Sequence, residues 1–420
     1  MIRTTRFAAA VLGFALVATA CNNDQLNRPF GSIPVDPLFD RYVSMGNSIT
    51  AGFQSGGIND STQLQSYAVL LAQAMHSPFF PPLLNRAPPG PAGCPPPYTN
   101  VFTQTRVGGG TPTSCGLRKI PNPPPPYISN TAVPGAEVLD ITSNGAPGTN
   151  PNPLTQFILG GLTQEQMMER AQPTFVTAWI GNNDVLGAAT NAANAGDSTL
   201  ITPLATFQAN YDAMLDAIEA VGPGGVVLIG VANVVSVANR TGLPPTQPPA
   251  NGVPFFSYGS TYYALDAAGA IPGPFTAAVT CAPPRGDSVL VPFPLGGNLI
   301  ATGGTLTCNE PQTIQPAELV KLTTTVTAYN AYISAQATAR GWTYVDPNPA
   351  LDSLRQIPTQ VAFFPNFGPP TAPTPCASSP FGLAFSCDAV HPSAATHRLL
   401  AQKLRLAINA AYTTAIPPIP

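Results

Sequence analysis

A short apolar run that stops at a tight turn constrains this fold more than any other feature of the sequence. The run from Tyr42 to Met45 has the length of a buried strand, and Gly46-Asn47-Ser48 ends it, with Gly52 close behind. Such an abrupt end predicts a turn at the carboxyl edge of a sheet, where open α/β sheets bind ligands. Ser48 is therefore a candidate nucleophile, and a hydroxyl nucleophile needs a base to take its proton.

A base for this serine is available near the other end of the chain, in Asp388-Ala389-Val390-His391-Pro392. An aspartate three residues before a histidine in a short loop can accept the imidazole Nδ1–H. That arrangement leaves Nε2 to take a proton from the Ser48 hydroxyl. We expect Asp388 and His391 to lie beside Ser48 in the fold.

Two further apolar runs end at residues that can stabilise negative charge. The first is a strand-like run, Ser129 to Ala136, which has a glycine, Gly135, at its end. The second, Phe175 to Ile180, leads into Gly181-Asn182-Asn183-Asp184. An oxyanion needs two or three preorganised donors. The N–H groups of Ser48 and Gly135 and the side-chain amide of Asn183 are three candidates.

These four segments, in this order, resemble those of the SGNH hydrolases, also called the GDSL esterase/lipase family. The resemblance covers roughly residues 40–412. It implies a nucleophile, a base, an orienting carboxylate and oxyanion donors at Ser48, His391, Asp388, Gly135 and Asn183. One position departs: the family usually has Asp where this chain has Asn47, which keeps an acceptor oxygen for the turn but loses the charge.

Apolar periodicity predicts strands that alternate with helices. The predicted strands are 42–45, 129–136, 175–180, 225–231 and 342–345, and the predicted helices are 63–76, 163–171, 203–221, one opening at Pro316, and 393–412. Alternation of this kind gives a parallel sheet with helices on both faces. We expect an α/β fold, a single three-layer domain over 40–412 of SGNH or flavodoxin-like type, with Pro/Gly-rich insertions at 77–127 and 239–315 and a tail at 413–420.

The first twenty residues have the pattern of a secretory signal, a charged start followed by an apolar run and small residues. Leu16 to Cys21 resembles a bacterial lipobox, which implies a lipidated Cys21 after a signal peptide of residues 1–20 and a tether of residues 21–39. The alternative is an ordinary cleaved signal with Cys21 unmodified. No later stretch reaches the roughly 18 apolar residues that span a bilayer. We expect an exported lipoprotein of the bacterial cell envelope, held to the membrane only by its lipid.

The cysteine pattern fits an oxidising compartment. Besides Cys21, six of the seven cysteines fall as near neighbours in loops: Cys94 with Cys115, Cys281 with Cys308, and Cys376 with Cys387. Local closure of each pair is the simplest of the 15 connectivities that six cysteines allow. A metal site is not expected, because neither Cys-x-x-Cys nor a paired-histidine spacing occurs.

The composition of the chain restricts the classes of partner and substrate that we expect for it. Charged residues make up 9% of the chain, and the formal net charge is −3. No basic patch is present, so nucleic acid is not an expected partner. We expect a monomer without a cofactor whose substrate is a small-molecule, lipid or glycan ester.

Two functions remain open from the sequence. The first is an exported serine esterase or lipase, with Phe364 and Phe367 near the Asp388 loop as candidate pocket residues. The second is a weak or inactive member that binds a glycan or an envelope partner. Two neighbouring residues are given structural roles: Asp184 as a cap of the following turn and His397 as a solvated or capping histidine.

Overall fold

Four parallel strands form the central sheet. They are β1 (Tyr42–Gly46), β2 (Phe175–Trp179), β3 (Gly225–Ile229) and β4 (Thr343–Val345), hydrogen-bonded in that order. Every residue of β1, β2 and β3 is buried, as expected for parallel strands covered on both faces. The sequence therefore folds as an α/β domain with a parallel core.

The computed structural model describes most of the chain. The described residues are 35–86, 90–91, 94–101, 103–110, 114–119, 121–143, 152–233, 302–355 and 381–419, with short stretches between 261 and 299 and between 357 and 376. Residues Pro37–Pro420 belong to one compact unit. The predicted signal peptide, Cys21, Phe364, Phe367 and Cys281 lie outside the described residues.

An extended segment, residues 129–133, pairs along the outer edge of β1. The Ser44 N–H donates to the Ser129 carbonyl at 2.8 Å, and the N–H groups of Thr131 and Val133 donate to the carbonyls of Ser44 and Gly46 at 2.9 and 3.1 Å. With this segment counted as the second strand in the chain, the spatial order is 2-1-3-4-5. That is a doubly wound order whose switch point lies between β1 and β2, where such sheets bind ligands beyond the strand ends.

The helices follow the strands in the expected alternation. In chain order they are α1 (Ser48–Ala51), α2 (Asp60–Gln63), α3 (Tyr67–Ala74), α4 (Pro153–Leu159), α5 (Gln164–Ala171), α6 (Asn183–Thr190), α7 (Leu204–Val221), α8 (Pro316–Ala339), α9 (Asn348–Arg355) and α10 (Ala394–Tyr412). They form two packed groups, α3 with α10 and α9 on one side, and α5, α7 and α8 on the other.

Alternate residues of β2 identify the two faces. The Trp179 ring packs against Tyr67 of α3, with centroids 5.4 Å apart, and Phe175 packs against Tyr412 of α10 at 5.5 Å. Val176 and Ala178 point to the other face and join the cluster of buried apolar side chains from α5, α7 and α8. Side chains alternate across a strand, so the two helix groups cover opposite faces and the molecule has three layers.

The strand and helix predictions are confirmed with two corrections. The predicted strand 129–136 is an extended segment that ends in a turn at 134–135, with a single bridge from Asn130 to Ser44. The predicted helix 63–76 is broken: α2 ends at Gln63, and α3 begins only at Tyr67 because Ser66 caps it, its side chain accepting from the Val69 N–H. Leu64, in the break between the two helices, is 46% exposed. A strong N-cap restarts the helix in a new phase, which the apolar spacing alone does not reveal.

The first insertion contains short hairpin-like ladders instead of long elements. Tyr98–Asn100 pairs with Thr105–Arg106, and Gly90–Pro91 pairs with Ser114–Cys115. Of the second predicted insertion, 239–315, only short stretches are described, in which Thr261–Tyr263 pairs with Leu290–Pro292.

The disulfide predictions have different outcomes. The Cys376–Cys387 bridge is present. Cys308 is disulfide-bonded, while its predicted partner lies outside the described residues. Cys94 is buried, and nothing is described of the Cys115 side chain, so that pairing stays a prediction. Across the described part of the chain, no helix is long and apolar enough to cross a membrane.

Candidate active site

Ser48 lies at the start of α1, immediately after β1. Gly46 permits this turn: its φ is +154°, and a Cβ there would lie 2.4 Å from the Trp179 carbonyl oxygen. Asn47 caps the helix, its Oδ1 accepting from the Ile49 N–H at 3.1 Å. At the first helical position, the Ser48 N–H has no acceptor within its own helix. Both groups of Ser48, hydroxyl and amide, therefore lie at the carboxyl edge of the sheet.

The fold brings Asp388 and His391 to Ser48, as the sequence predicts. His391 Nε2 is 2.9 Å from Ser48 Oγ, and His391 Nδ1 is 2.8 Å from Asp388 Oδ2. The Phe53 ring packs on the imidazole, with centroids 4.8 Å apart. With Nδ1–H donated to the carboxylate, Nε2 is free to accept the Ser48 proton. This is the relation of nucleophile, base and orienting group that covalent catalysis needs.

Backbone and hydroxyl donors surround the Asp388 carboxylate. Oδ2 accepts from the Gly56 N–H at 2.6 Å, and Oδ1 accepts from Ser386 Oγ at 3.0 Å and from the N–H groups of Val390 and His391 at 3.0 and 2.9 Å. Burial alone would raise the pKa of Asp388, but the His391 ring and these hydrogen bonds outweigh it and hold the pKa well below its usual range. The carboxylate is thus ionised at neutral pH.

Asn183, at the start of α6, borders the same cleft as Ser48. Its Nδ2 donates to the Ala136 carbonyl at 2.8 Å, which ties α6 to the loop that contains Gly135. An amide nitrogen has two hydrogens, so one remains for a ligand in the cleft. Gly135 has a left-handed φ of +79° and is not among the described residues that line the cleft.

Asp184 does not have the role predicted for it. The side chain is buried, and its Oδ2 accepts from the Val138 N–H at 3.0 Å instead of capping a turn. Burial, with Glu137 nearby, raises the pKa of Asp184 to about 7. Asp184 and Asn183 thus both bind the loop after Gly135, Asp184 at the Val138 N–H and Asn183 at the Ala136 carbonyl.

The cleft beside Ser48 encloses about 600 Å³ of empty space, its open mouth included. Its apolar lining comes from several elements: Trp179, Leu186, Ala232, Leu351, Phe385 and Val390. Sequence reasoning missed Leu186 and Leu351, because helix residues that line a cleft have the same spacing as helix residues in a core. Phe53, Gly56 and Ser386 were also missed, since nothing in their spacing marks them as neighbours of Asp388 and His391.

His397 is a second correction. Its side chain is fully buried and its Nδ1 accepts from the Tyr67 N–H at 3.3 Å, with the two rings stacked 6.4 Å apart. Burial, and to a lesser degree His391, lowers the pKa of His397 to about 3. A position on the inner face of α10 explains this, because the α10 stripe that includes Leu400 and Leu404 faces the core.

The described residues contain no group of three or more His, Cys, Asp or Glu side chains that could hold a metal ion. The side chains that the structure brings together at the cleft are a serine and an imidazole, with a carboxylate behind the imidazole and an amide beside them.

Comparisons with known proteins add structural likenesses. No family model and no curated protein matches the chain. Among solved structures, it is similar to Axe2, an acetylxylan esterase from Geobacillus stearothermophilus (13% identity, TM-score 0.39, covering 88% of this chain and 94% of that one). It is also similar to an extracellular lipase from Streptomyces rimosus (13% identity, TM-score 0.38, covering 87% and 99%).

A third similar structure is LAE5, an alpha/beta hydrolase enzyme from the metagenome of Lake Arreo (12% identity, TM-score 0.39, covering 89% of this chain and 96% of that one). Scores this low carry no argument about activity. What this chain does has to be inferred from its own side chains.

Proposed function

We propose that this protein is a serine hydrolase that cleaves carboxylic esters through an acyl-enzyme formed on Ser48. One observation carries the proposal: His391 bridges Ser48 Oγ and Asp388 Oδ2 at 2.9 and 2.8 Å. Two further observations support it. Ser48 is fixed at the start of α1, and the lowered pKa of Asp388 keeps its carboxylate ionised beside His391.

The reaction has two halves in this proposal. His391 Nε2 takes the Ser48 proton as Oγ attacks the ester carbonyl carbon, and the imidazolium then protonates the departing alcohol. In the second half, His391 takes a proton from water as the water oxygen attacks the acyl carbon; the imidazolium then returns that proton to Ser48 Oγ as the acyl–Oγ bond breaks and the acid departs. Asp388 keeps Nδ1 protonated and stabilises the transient positive charge.

The oxyanion of each tetrahedral intermediate needs donors in the same space. We assign this role to the N–H groups of Ser48 and Gly135 and to the Asn183 amide. The bond from Asn183 to the Ala136 carbonyl supports the assignment, because it fixes the amide and the Gly135 loop relative to each other.

We further propose that the chain is an exported lipoprotein anchored through Cys21, on the strength of its N-terminal sequence. The substrate class is a neutral ester with an apolar acyl group. The apolar side chains around Ser48 support that choice, and none of the described residues lining the cleft other than His391 can carry a charge.

Hydrolysis of p-nitrophenyl acetate and butyrate by the mature protein tests the proposal. Ser48→Ala and His391→Ala should each lower kcat by at least about 10³-fold, and the double variant should lose little more, because the two residues act as one unit. The wild-type rate should rise along an acid limb as the pH increases, because the base must be unprotonated to accept the Ser48 proton. Ser334→Ala, on α8, is the matched control.

A Ser48→Ala variant with wild-type turnover would remove the acyl-enzyme mechanism. An inactive wild type would favour the binding-module alternative.

A further inference from the structure

Arg106, in the first insertion, is a buried cation that the reaction above does not use. Its side chain is 5% exposed, and its Nη1 donates to the carbonyl oxygens of Gly56 and Pro96, both at 2.7 Å. The guanidinium carbon lies 3.7 Å from the centroid of the Tyr98 ring. Among the ion pairs of the described residues, none includes Arg106. Burial of a guanidinium is costly, so its contacts have to be specific.

Those contacts hold the peptide unit that follows Gly56, and the Tyr98 backbone of the same insertion holds the unit before it, between Ser55 and Gly56. The Ser55 carbonyl accepts from the Tyr98 N–H at 2.8 Å, while the Gly56 N–H donates to Asp388 Oδ2 at 2.6 Å. That same carboxylate oxygen accepts the His391 Nδ1–H. The peptide unit is therefore held at one end by the insertion and holds Asp388 at the other.

The packing around Gly56 leaves this unit little freedom. Gly56 has a φ of +65°, and a Cβ there would lie 2.5 Å from the Tyr98 ring. On the other side, the Ser55 N–H donates to Ser386 Oγ at 2.8 Å, and Ser386 Oγ donates to Asp388 Oδ1 at 3.0 Å. Both carboxylate oxygens of Asp388 are therefore linked by hydrogen bonds to the Ser55–Gly56 turn, Oδ2 directly and Oδ1 through Ser386. Arg106 binds the same turn at the Gly56 carbonyl.

We propose that Arg106 is a positioning residue for the pair of Asp388 and His391, acting through the Ser55–Gly56 turn. This inference rests on the proposed function. It makes the Pro-rich insertion a part of the hydrolytic machinery, because the planar guanidinium binds two carbonyls and stacks on a ring at once. A lysine offers one compact charge and cannot do both.

The loss of Arg106 should shift the pH dependence of the rate in a predictable direction. Without Arg106, the Gly56 N–H is held less firmly against Asp388. A carboxylate with a weaker donor on Oδ2 is a stronger partner for the protonated imidazole. The acid limb of the pH–rate profile should therefore move to higher pH, an effect that a purely structural role for Arg106 would not produce.

The test compares wild type, Arg106→Gln, Arg106→Lys and Ser48→Ala, with Arg118→Gln as the matched control. Arg118 belongs to the same insertion and also donates to a carbonyl, that of Ile158 at 3.1 Å, but it lies away from the Ser55–Gly56 turn. Rates on p-nitrophenyl butyrate are measured from pH 5 to 9 and normalised to folded protein by circular dichroism.

Arg106→Gln should lower kcat by 10- to 100-fold with KM within about twofold, as expected for a misplaced catalytic group, and should shift the acid limb upward by several tenths of a pH unit. Arg106→Lys should lower kcat less and shift the limb less, because an ammonium group can still donate to the Gly56 carbonyl. Arg118→Gln should match wild type.

Wild-type kcat and an unmoved limb in folded Arg106 variants would overturn the inference while leaving the proposed function intact. If Arg106→Gln does not fold, Arg106→Lys decides by the same two readouts. Activity that is independent of Ser48 would instead overturn the proposed function, and this inference with it.

Discussion

Asn183 shows how one side chain can serve structure and chemistry together. Its Nδ2 donates to the Ala136 carbonyl at 2.8 Å and its second amide hydrogen is available to the cleft. Asn183→Ala should lower kcat by roughly 10²–10³-fold through loss of an oxyanion donor. Asn183→Asp keeps the shape but has no donor, so it should lose at least as much. Steady-state kinetics and thermal unfolding of both variants check this, and an unchanged kcat in either would show that Asn183 is only a structural residue.

His397 predicts a pH dependence of stability. Because its pKa falls to about 3 in the folded state, against ~6.5 when unfolded, the unfolded chain binds one more proton between these values. His397 therefore contributes stability above ~6.5 that is lost as the pH falls, with a slope of up to about 1.4 kcal/mol per pH unit. Asp184 and Asp140, whose raised pKa values are about 7 and about 6, act in the opposite sense.

The difference between variants isolates the histidine. His397→Asn, whose carbonyl can still accept from the Tyr67 N–H, should show a smaller loss of unfolding free energy than wild type between pH 6.5 and 4.5. Urea unfolding at each pH measures this, with His76→Asn, at an exposed position, as the control. Parallel slopes for wild type and His397→Asn would contradict the account.

Some site residues could be predicted from the sequence, because their residue type and their position at a turn are typical of catalytic residues. Ser48, Asp388 and His391 stand at strand ends or in a short loop, and the fold brings them together. Gly56 and Ser386 could not be predicted, because a backbone N–H has no sequence signature and serines are common in loops. The burial of His397 follows from its helix phase, because it lies on the same buried face as Leu400 and Leu404.

At the scale of elements, α9 places Leu351 in the cleft, where it is 6% exposed. Leu351→Ala removes three carbons from the wall and should let longer acyl chains bind. Each methylene accommodated contributes at most about 0.8 kcal/mol, so the optimum of kcat/KM should move one or two carbons longer. A series of p-nitrophenyl esters from acetate to octanoate measures it, with Leu406→Ala, an exposed leucine of α10, as the control. An unmoved optimum would exclude Leu351 from the acyl site.

Elements with strong periodicity were predictable because core burial dictates their pattern. The stripe of α7 and the run of β2 are examples, and each observed boundary falls within about two residues of its prediction. The break between α2 and α3 was not predictable from periodicity, since a single capping serine, Ser66, decides it. The contribution of the first insertion was also hidden, because Arg106 reaches Gly56 by a non-local contact.

For the whole molecule, the N-terminal sequence predicts a lipid anchor at Cys21. In a bacterial host, the full chain should incorporate labelled palmitate and fractionate with membranes. Cys21→Ser should abolish both, because Cys21 is the membrane attachment site that this account proposes. Cys94→Ser is the control for loss of a cysteine as such. Palmitate incorporation that survives Cys21→Ser would contradict the lipobox interpretation.

The parallel order of the whole sheet also explains why the distant segments converge. Parallel strands all end at one edge, so the residues after β1 and β2 meet at the switch point, and the loop before α10 closes over them. Alternation of strands and helices predicts that architecture. It does not predict the side-chain contacts that order Asp388, which depend on the insertion.

Covalent labelling of Ser48 tests the central claim most directly. The mature protein is treated with a fluorophosphonate near pH 8, digested and examined by mass spectrometry, beside Ser48→Ala and His391→Ala. The account predicts one adduct, on the peptide that contains Ser48, absent in Ser48→Ala and formed at least 10²-fold more slowly in His391→Ala, because a serine hydroxyl is a weak nucleophile without its base. A folded wild type that is not labelled at Ser48, or is labelled equally fast without His391, would contradict it.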